Sequence, residues 1–449
     1  MNKKDENLIV GQVCELNIND LDMQGRGVSH YNNYTIFVEN ALPTEIVKAQ
    51  IINAKGNIIV AKTLEVLKVS KFRKIPKCQY FNICGGCDLQ HLNYNETLKF
   101  KKQQILIALK KIANINYSEN NIDVIGCHNQ YYYRNKVTFQ VNNVNGVANL
   151  SFYEKQSHKH VNILDCKICD KKIKVVINLI NEYFKTNKLS AYNEREKSGL
   201  IKNVVVRILN DEILLTFVTI KKTSLVNIKD LFECLKNHFK NVGINININK
   251  SNREILSNNF IHVIGKDKIT FENLGLNQNI TNASFLQVNL EIQNLLYNYV
   301  LTKLSDKVIN AYSGAGLLTC LIAKNIKNET IIGIELNKEA SMLADKLKKE
   351  NKITNVINVC SDANKEIEKY NLENITLVVD PPRSGLSNEF INSILQSKPN
   401  KIVYISCSYQ TLSKNLKELL KEYNIEEIKA FDMFPQTKNV ETVVTLIKK

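Results

Sequence analysis

Two apolar runs decide how the C-terminal part of this chain folds, and they read Ile402-Val-Tyr-Ile-Ser-Cys407 and, upstream, Ile375-Thr-Leu-Val-Val-Asp380. Each run is rich in β-branched residues, is typical of a buried parallel strand and ends on a reactive side chain. In an open α/β sheet, ligands bind in the crevice outside the carboxyl ends of the strands. The Cys407 thiol and the Asp380 carboxylate are therefore predicted to share one pocket, which suggests covalent chemistry at a cofactor site.

Outward from these runs, strand and helix signals alternate regularly from about residue 290 to the end. The predicted strands are 308–311, 331–334, 356–359, 375–379, 402–406 and 440–447. Strands separated by helices imply a doubly wound parallel sheet. We therefore predict a Rossmann-like C-terminal domain over residues 286–449.

A glycine turn, Gly314-Ala-Gly316, follows the first of these strands, and the second strand ends in Glu335, 19 residues after Gly316. An acid at this distance is placed to meet ribose hydroxyls. Asp362 and Asp380 follow later strands in order. The turn is shorter than the dinucleotide fingerprint G-x-G-x-x-G, so S-adenosylmethionine is predicted rather than NAD. A tight turn alone would also account for the two glycines.

The first part of the chain looks all-β. Short Val/Ile-rich runs at 9–14, 34–38, 46–52 and 58–61 are separated by turn signals such as Gly25-Arg-Gly27. Short strands at this spacing predict a small, OB-like barrel over residues 1–68. Barrels of this kind often bind oligonucleotides, so RNA contact is expected here.

The middle part, residues 69–285, mixes both signals and is predicted to be an α/β domain. Apolar spacing predicts a helix over 99–112, and residues 131–140 and 204–219 are typical of strands. Cys78-x5-Cys84-Gly-Gly-Cys87 places three thiols within ten residues. Thiolates at this density usually bind zinc or an iron–sulfur cluster. Three ligands are one short of four, and either Cys166 or Cys169 could complete the set.

The 449 residues carry a net charge of +16, and the sequence pI is near 9.1. This basic excess indicates a polyanionic partner, usually nucleic acid, although a lysine-rich proteome would give the same bias. No apolar stretch approaches the roughly 20 residues that span a bilayer. The start, Met1 to Glu6, lacks the apolar segment of a signal peptide. A cytoplasmic protein with reduced cysteines and no membrane contact is expected.

Together these segments resemble the RNA uracil-5-methyltransferases, in the branch that has an N-terminal TRAM domain and an iron–sulfur cluster. The resemblance covers nearly the whole chain. The motifs that carry it, in chain order, are Gly25-Arg-Gly27, Leu42-Pro-Thr-Glu45, Cys78-x5-Cys84-Gly-Gly-Cys87-Asp-Leu-Gln-His91, Tyr133-Arg-Asn-Lys136, Phe285-Leu-Gln287-Val-Asn289, Tyr312-Ser-Gly314-Ala-Gly316, Asp380-Pro-Pro-Arg383, Ser406-Cys407, Phe434-Pro-Gln-Thr437 and Val440-Glu-Thr442.

The resemblance implies methylation of C5 of a uridine in ribosomal or transfer RNA by a monomeric enzyme, and 23S ribosomal RNA is the substrate that we expect over transfer RNA. It implies Cys407 as the nucleophile and Glu441 as the general base. The implied contacts to S-adenosylmethionine come from Gln287, Tyr312, Gly314, Glu335, Asp362 and Asp380. A [4Fe–4S] cluster is implied on Cys78, Cys84, Cys87 and Cys166, the last because Asp165-Cys166-Lys-Ile168 matches the context of the fourth ligand.

Some positions depart from the family pattern. Asn310 and Ser313 stand where the family often has Asp and Cys. Ser408-Tyr409 replaces a common Asn-Pro, Asn439 a common His, and Thr44 a Gly. No departure removes a predicted cofactor contact or catalytic group.

Other functions compete with this interpretation. A transfer RNA uracil-5-methyltransferase would have the same motifs. A cysteine hydrolase needs a histidine, and none follows His262. Radical methylthiotransferases have Cys-x3-Cys-x2-Cys, and RNA cytosine-5-methyltransferases usually have a second cysteine after Asp-Pro, where Pro382-Arg383 stands here. A non-catalytic RNA-binding or assembly protein with a degenerate methyltransferase domain would bind cofactor without transferring methyl groups.

Overall fold

The computed structural model describes residues 8–31, 33–56, 58–251 and 253–449. The described chain divides into two compact units, the first with residues up to Gln104 and Gln436–Lys438, the second with Ile105–Pro435 and Asn439–Lys449. The boundaries predicted near residues 68 and 285 stay a prediction. Met1 to Glu6, on which the expectation of no signal peptide rests, lies outside the described residues. No helix in the described ranges is both long enough and apolar enough to cross a bilayer.

The described strands of the first unit pair in the order β1-β5-β6-β4-β3-β2. They are β1 (Val13–Asn17), β2 (Asp20–Leu21), β3 (Gly27–Tyr31), β4 (Tyr34–Glu39), β5 (Ile46–Lys55) and β6 (Ile58–Lys68). Buried residues of β1, β4, β5 and β6, such as Leu16, Ile36, Val47 and Ile59, form one hydrophobic cluster. Register shifts between β5 and β6 bend this long ribbon. The strand-rich start that the sequence predicts is confirmed.

One strand of this unit is shifted from its predicted place. The run 9–14 is expected to be a strand, but β1 begins only at Val13. Gly11 has a φ of 94°, a left-handed conformation that puts a turn into the run. The predicted turn at Gly25 is present, with a φ of 77°.

Helices and further strands follow in chain order. The helices are α1 (Tyr94–Ala108), α2 (Ile173–Thr186), α3 (Ile228–Lys236), α4 (Leu290–Leu301), α5 (Leu317–Asn325), α6 (Lys338–Glu350), α7 (Ala363–Glu366), α8 (Asn388–Ser397) and α9 (Tyr409–Leu419). The strands are β7 (Ile122–Ile125), β8 (Lys136–Val144), β9 (Val147–Tyr153), β10 (His160–Asn162), β11 (Ile201–Leu209), β12 (Glu212–Thr219), β13 (Asn241–Ile248), β14 (Phe260–Gly265), β15 (Ile269–Asn273), β16 (Leu276–Ile280), β17 (Lys307–Ala311), β18 (Ile331–Glu335), β19 (Val356–Cys360), β20 (Ile375–Val379), β21 (Lys401–Ser406), β22 (Tyr423–Phe431) and β23 (Glu441–Lys448).

The middle of the chain forms a mixed sheet in the order β10-β9-β8-β11-β12-β13-β14, and β15 pairs with β16. The helix predicted over 99–112 is confirmed, because α1 and the π-helical turn that follows it at Leu109–Ala113 together span these residues. The run 204–219 is not one strand but the hairpin β11–β12. Its turn residues Asn210 and Asp211 have φ values of 47° and 66°, as a tight hairpin requires. The run 131–140 becomes a strand only at Lys136, since Tyr132 has a φ of 59°.

The C-terminal sheet has the strand order β19-β18-β17-β20-β21-β23-β22-β7. Its strands from β19 to β21 pair in parallel and lie where the sequence predicts them. Alternate residues face two separate cores. Ile309 and Leu377 belong to the cluster that also contains α8 and α9 residues, whereas Val308 and Val378 belong to the one with α4 and α5 residues. Helices therefore cover both faces, as in a doubly wound sheet.

The far end of this sheet differs from the prediction of an all-parallel arrangement. β23 runs antiparallel to both β21 and β22. The short strand β7 joins the edge beside β22 in parallel. An apolar run such as 440–447 shows that a strand is buried but not in which direction it runs.

Candidate functional site

The carboxyl ends of β18, β17, β20 and β21 meet at one edge of the C-terminal sheet, where a cavity of ≈ 610 Å³ opens. This size suits a small-molecule cofactor. The predicted site residues that line the cavity are Gln287, Tyr312, Gly314, Asp380, Cys407 and Glu441. The structure therefore brings the two acids and the thiol of the sequence prediction together with part of the predicted cofactor site.

The direction of β23 explains how Glu441 reaches Cys407 from a distant place in the sequence. Ser406, the last residue of β21, pairs with Thr442 near the start of β23. One residue beyond this pair on each strand come Cys407 and Glu441. A parallel β23 would instead place its first residue at the opposite edge of the sheet.

Burial and charge keep the half-buried thiol of Cys407 protonated. Burial raises the pKa of Cys407 to about 11, and the carboxyl groups of Glu441 and Asp380 add to this rise. The guanidinium of Arg383 acts in the opposite direction and lowers the pKa of this thiol. Arg383 also lines the cavity. Arg383 ends the motif Asp380-Pro-Pro-Arg383, and this motif is the sequence signal that could have assigned Arg383 to the site.

Two of the carboxyl groups that line the cavity, those of Asp380 and Glu441, are also shifted toward their neutral forms. Burial raises the pKa of Asp380 to about 7. Burial, with a smaller contribution from Asp380, raises the pKa of Glu441 to about 8. Carboxyl groups with a pKa near neutrality can accept and release protons at physiological pH. The cavity therefore contains a thiol and two groups suited to proton transfer.

The glycine turn after β17 forms one wall of the cavity. Gly316, with a φ of 81°, begins α5, and a Cβ there would lie 2.6 Å from the Cβ of Ala344. A Cβ on Gly314 would meet no atom within 4 Å, so the backbone of this glycine faces open space. The Gly314 N–H donates a hydrogen bond of 2.8 Å to Oε2 of Glu335. The turn therefore meets the acid that the sequence predicts as a ribose contact.

Glu335 and Asp362 do not line the cavity themselves. Glu335 accepts hydrogen bonds from Gly314 N–H and, at 2.7 Å, from Asn337 N–H. Asp362 caps α7 by accepting a hydrogen bond of 3.0 Å from Asn364 N–H. Burial raises the pKa of Tyr312 to about 12, and the charge of Asp362 adds to the shift. Both acids thus lie beside cavity-lining residues, at the β18 and β19 end of the edge.

Side chains of the middle sheet hold the connection between β16 and α4, which contains Gln287. Lys136 Nζ donates to the carbonyl of Asn282 at 2.7 Å, and Arg207 Nη2 donates to the carbonyl of Ser284 at 2.7 Å. Burial, with the charges of Arg207 and Arg134, lowers the pKa of Lys136 to about 8. Burial also lowers the pKa of the fully buried Arg207 to about 10. Each of these two cations therefore donates one hydrogen bond to a backbone carbonyl of the connection, while Nε and Nη1 of Arg207 have no hydrogen-bond partner among the described residues.

Buried polar atoms of the cavity wall have no hydrogen-bond partner among the described residues. They are Gln278 Nε2, both amide atoms of Gln293, and Asn310 Oδ1. Buried polar groups are normally paired. Their presence fits a polar cofactor such as S-adenosylmethionine in this cavity. The sequence prediction missed Gln278 and Gln293, because an amide inside a strand or helix carries no motif of its own.

The predicted metal ligands lie in both units. Cys78, Cys84 and Cys87 belong to the first unit, where Gly86 N–H donates to Cys84 Sγ at 3.4 Å. Cys166 belongs to the second unit, and a hydrogen bond from Cys169 lowers its pKa to about 7. Within the described ranges, no group of three or more His, Cys, Asp or Glu side chains is arranged to hold a metal ion. Thiols have the chemistry that binds an iron–sulfur cluster.

Two known protein families match this chain. Residues 93–449 match the tRNA (uracil-5-)-methyltransferase family, and residues 8–63 match the TRAM domain. An uncharacterized RNA methyltransferase of Clostridium acetobutylicum is 33% identical over 97% of this chain and 96% of that protein. One of Streptococcus mutans is 34% identical over 97% of this chain and 98% of its own length.

A solved structure has the same fold. It is the tRNA (uracil-54, C5)-methyltransferase of Pyrococcus abyssi in complex with S-adenosyl-L-homocysteine. Its TM-score is 0.78 at 24% sequence identity, and the match covers 97% of this chain and 100% of that chain. The likeness therefore extends over both units of the fold.

Proposed function

Because this chain belongs to the tRNA (uracil-5-)-methyltransferase family, we propose that it methylates C5 of a specific uridine in RNA with S-adenosylmethionine as the donor. The observation that carries the proposal is that Cys407, Glu441 and Asp380 line one cavity at the carboxyl edge of the sheet. No histidine lines this cavity among the described residues, so a hydrolase pairing of cysteine with histidine has no support there.

The chemistry of uracil explains why a thiol is needed. C5 of uracil is a weak nucleophile, and attack of the Cys407 thiolate on C6 converts the ring into an enolate with electron density at C5. A cysteine suits this step because it is a soft nucleophile that can also leave. S-adenosylmethionine supplies the methyl group and is released as S-adenosylhomocysteine. Arg383 assists the first step, since its positive charge lowers the pKa of Cys407.

The second half of the reaction needs a base. After C5 has gained its methyl group, it still carries a proton, and the Cys407–C6 bond is still present. Glu441 takes this C5 proton, the electron pair of the C–H bond restores the C5–C6 double bond, and the thiolate leaves C6. A carboxyl group with a pKa of about 8 is well matched to this proton transfer near neutral pH.

The cofactor assignment follows the order of residues along the edge of the sheet. Gln287, Tyr312, Gly314 and Asp380 line the cavity, and Glu335 and Asp362 lie behind its wall. We propose Glu335 as the ribose contact, with its carboxylate also fixing the glycine turn through Gly314. Asp362 is proposed to contribute at the β19 end.

The proposed substrate is 23S ribosomal RNA, and transfer RNA is the second candidate. The name of the matched family and of the solved relative favours transfer RNA. The TRAM match over residues 8–63 and the net charge of +16 support RNA binding. We propose that residues 1–68 bind RNA, that 69–285 form the α/β domain and 286–449 the methyltransferase domain, and that the enzyme is a monomer. The target base must leave its stack to reach the cavity.

We also retain the proposal of a [4Fe–4S] cluster on Cys78, Cys84, Cys87 and Cys166. It is supported by the spacing of the first three cysteines and by the low pKa of Cys166. No step of the reaction depends on it.

A direct assay tests the proposed function. The protein is incubated with S-adenosylmethionine and ribosomal RNA that lacks 5-methyluridine, with transfer RNA in a parallel reaction, and nucleosides are analysed by mass spectrometry. New 5-methyluridine in one reaction establishes the activity and chooses the substrate. If neither RNA gains 5-methyluridine while labelled S-adenosylmethionine binds, the non-catalytic alternative is favoured.

A further inference from the structure

Two side-chain amides in the cavity wall have polar atoms that are available to hydrogen-bond a ligand. Gln293 on α4 is fully buried, and neither its Nε2 nor its Oε1 has a partner among the described residues. Asn310 on β17 is 1% exposed, and its Oδ1 is likewise unpartnered in that part of the chain. Because buried polar groups are rarely left unpaired, a ligand with both donors and acceptors is expected between them.

The Asn310 amide is fixed in one orientation. Its Nδ2 donates a hydrogen bond of 2.9 Å to Oγ1 of Thr319 on α5. This bond leaves Oδ1 as the free atom, and a carbonyl oxygen can only accept. Gln293 offers one acceptor oxygen and one NH₂ group, which has two N–H donors. The pair thus presents two acceptor oxygens and one donor group to the cavity.

The order of the strands indicates which part of the cofactor meets these amides. β17, which contains Asn310, lies between β18 and β20. On the β18 side, Glu335 is proposed to meet the ribose. On the β20 and β21 side, Asp380 and Cys407 are proposed to meet the uridine. The amino-acid end of the cofactor falls between these two regions.

We propose, on the basis of the proposed S-adenosylmethionine site, that Gln293 and Asn310 bind the α-ammonium and α-carboxylate groups of the cofactor. The ammonium has only donors and matches Asn310 Oδ1 and Gln293 Oε1. The carboxylate has only acceptors and matches Gln293 Nε2. Two neutral amides therefore complement a zwitterion without adding a buried charge to a cavity that already contains Asp380 and Glu441.

Comparing two ligands distinguishes a contact to the amino-acid end of the cofactor from a general disturbance of the cavity. S-adenosylhomocysteine has the amino-acid end, and 5′-methylthioadenosine lacks it. Calorimetry with both ligands is carried out on the full chain without RNA, using Gln293→Met and Asn310→Leu, which keep similar side-chain volumes. Asn294→Ala on the same helix is the control, because Asn294 pairs with Asn273 and does not line the cavity.

Gln293→Met and Asn310→Leu are each expected to lower the affinity for S-adenosylhomocysteine by about tenfold or more, since each loses a hydrogen bond to a charged group. The control Asn294→Ala should bind it as wild type does. Affinity for 5′-methylthioadenosine should stay within about twofold of wild type. Asn310→Asp keeps an acceptor for the ammonium and should restore most of the affinity for S-adenosylhomocysteine. These results together would support the proposal.

Other results would overturn it. Equal weakening for both ligands would show that the amides do not meet the amino-acid end, and unchanged binding of S-adenosylhomocysteine would show that they meet no part of it. If the wild-type protein binds neither ligand, the cofactor assignment fails together with this inference. If it binds both ligands but forms no 5-methyluridine, only the proposed reaction fails, and the comparison of ligands still decides the role of the amides.

Discussion

The side-chain amide of Asn135 donates a hydrogen bond of 2.9 Å to the backbone carbonyl of Gln287. Its backbone N–H also donates to the carbonyl of Val288 at 3.0 Å. Asn135 comes directly before β8 and is 6% exposed. The position of Gln287 in the cavity therefore depends on the sheet in the middle of the chain as well as on the methyltransferase sheet.

Asn135→Ala should weaken cofactor binding without removing a cofactor contact. The variant loses one hydrogen bond that positions Gln287, which is worth about 1 kcal/mol, or roughly a fivefold change in affinity. Calorimetry with S-adenosylhomocysteine measures the effect. Asn142→Ala on β8, away from the cavity-lining residues, is the matched control. Equal affinities of Asn135→Ala and wild type would refute the positioning role.

Cys407→Ala should abolish methyl transfer and leave cofactor affinity nearly unchanged, because the thiol acts on the uridine. The measurement is 5-methyluridine formation alongside binding of S-adenosylhomocysteine. Cys360→Ala is the control, since Cys360 is an exposed cysteine at the end of β19 in the same sheet. Substantial turnover by Cys407→Ala would rule out the covalent mechanism.

Glu441→Gln should accumulate a covalent protein–RNA adduct, because the C5 proton stays in place after methylation and the thiolate cannot leave. Denaturing gel electrophoresis with labelled RNA shows the adduct as a slower band. The double variant Cys407→Ala/Glu441→Gln should lack this band, and Glu418→Gln, at a partly exposed position that does not line the cavity, should behave as wild type. A Glu441→Gln reaction that turns over without any shifted band would argue against the proposed base.

The buried acids should make the protein less stable as the pH rises. Burial raises the pKa of Asp380 to about 7 and, with Asp380, that of Glu441 to about 8, whereas both are near 4 in an unfolded chain. Between about pH 4 and pH 8 the folded state binds more protons than the unfolded state, so its stability falls as pH rises.

Asp380→Asn tests this dependence, because the amide imitates the neutral carboxyl. Its Tm relative to wild type should be higher at pH 8 than at pH 5. The exposed Asp306→Asn gives the baseline for loss of one surface acid. A Tm difference between Asp380→Asn and wild type that is the same at both pH values would contradict the raised pKa of Asp380.

Anaerobic purification tests the proposed iron–sulfur cluster. The protein should be brown and contain about four irons per chain if all four cysteines bind one cluster. Cys84→Ala should lose the iron, whereas Cys234→Ala, an exposed cysteine on α3, should keep it. Stoichiometric zinc in place of iron would reject the cluster.

The sequence predicted the parallel strands β17 to β21 well, because each is a short β-branched run with a turn or charged helix after it. It also predicted that Asp380 and Cys407 share a pocket, since both follow such strands. The strand β22 was missed because polar residues such as Asn424, Glu426 and Lys429 interrupt its apolar positions. β7 could not be assigned to this sheet, since its partner lies some 300 residues away in the chain.

Prediction of the candidate site from the sequence is limited in the same way. Register across an antiparallel pair, which sets Glu441 beside Cys407, depends on a strand direction that no local pattern encodes. The amides of Gln293 and Asn310 carry no signature either, because only burial reveals that their polar atoms lack partners. Side chains with distinctive chemistry at strand ends are predictable, and the neutral residues that complete a binding site are not.

The protonated state of Cys407 has a consequence for the lifetime of the enzyme. A thiolate held next to an alkylating sulfonium would be at risk of methylating itself, a dead-end reaction that would consume the catalyst. With its pKa raised to about 11, the thiol is almost entirely in its unreactive form at pH 7. Burial of the thiol, the largest cause of its raised pKa, thus protects the enzyme from this dead-end reaction when no RNA is bound.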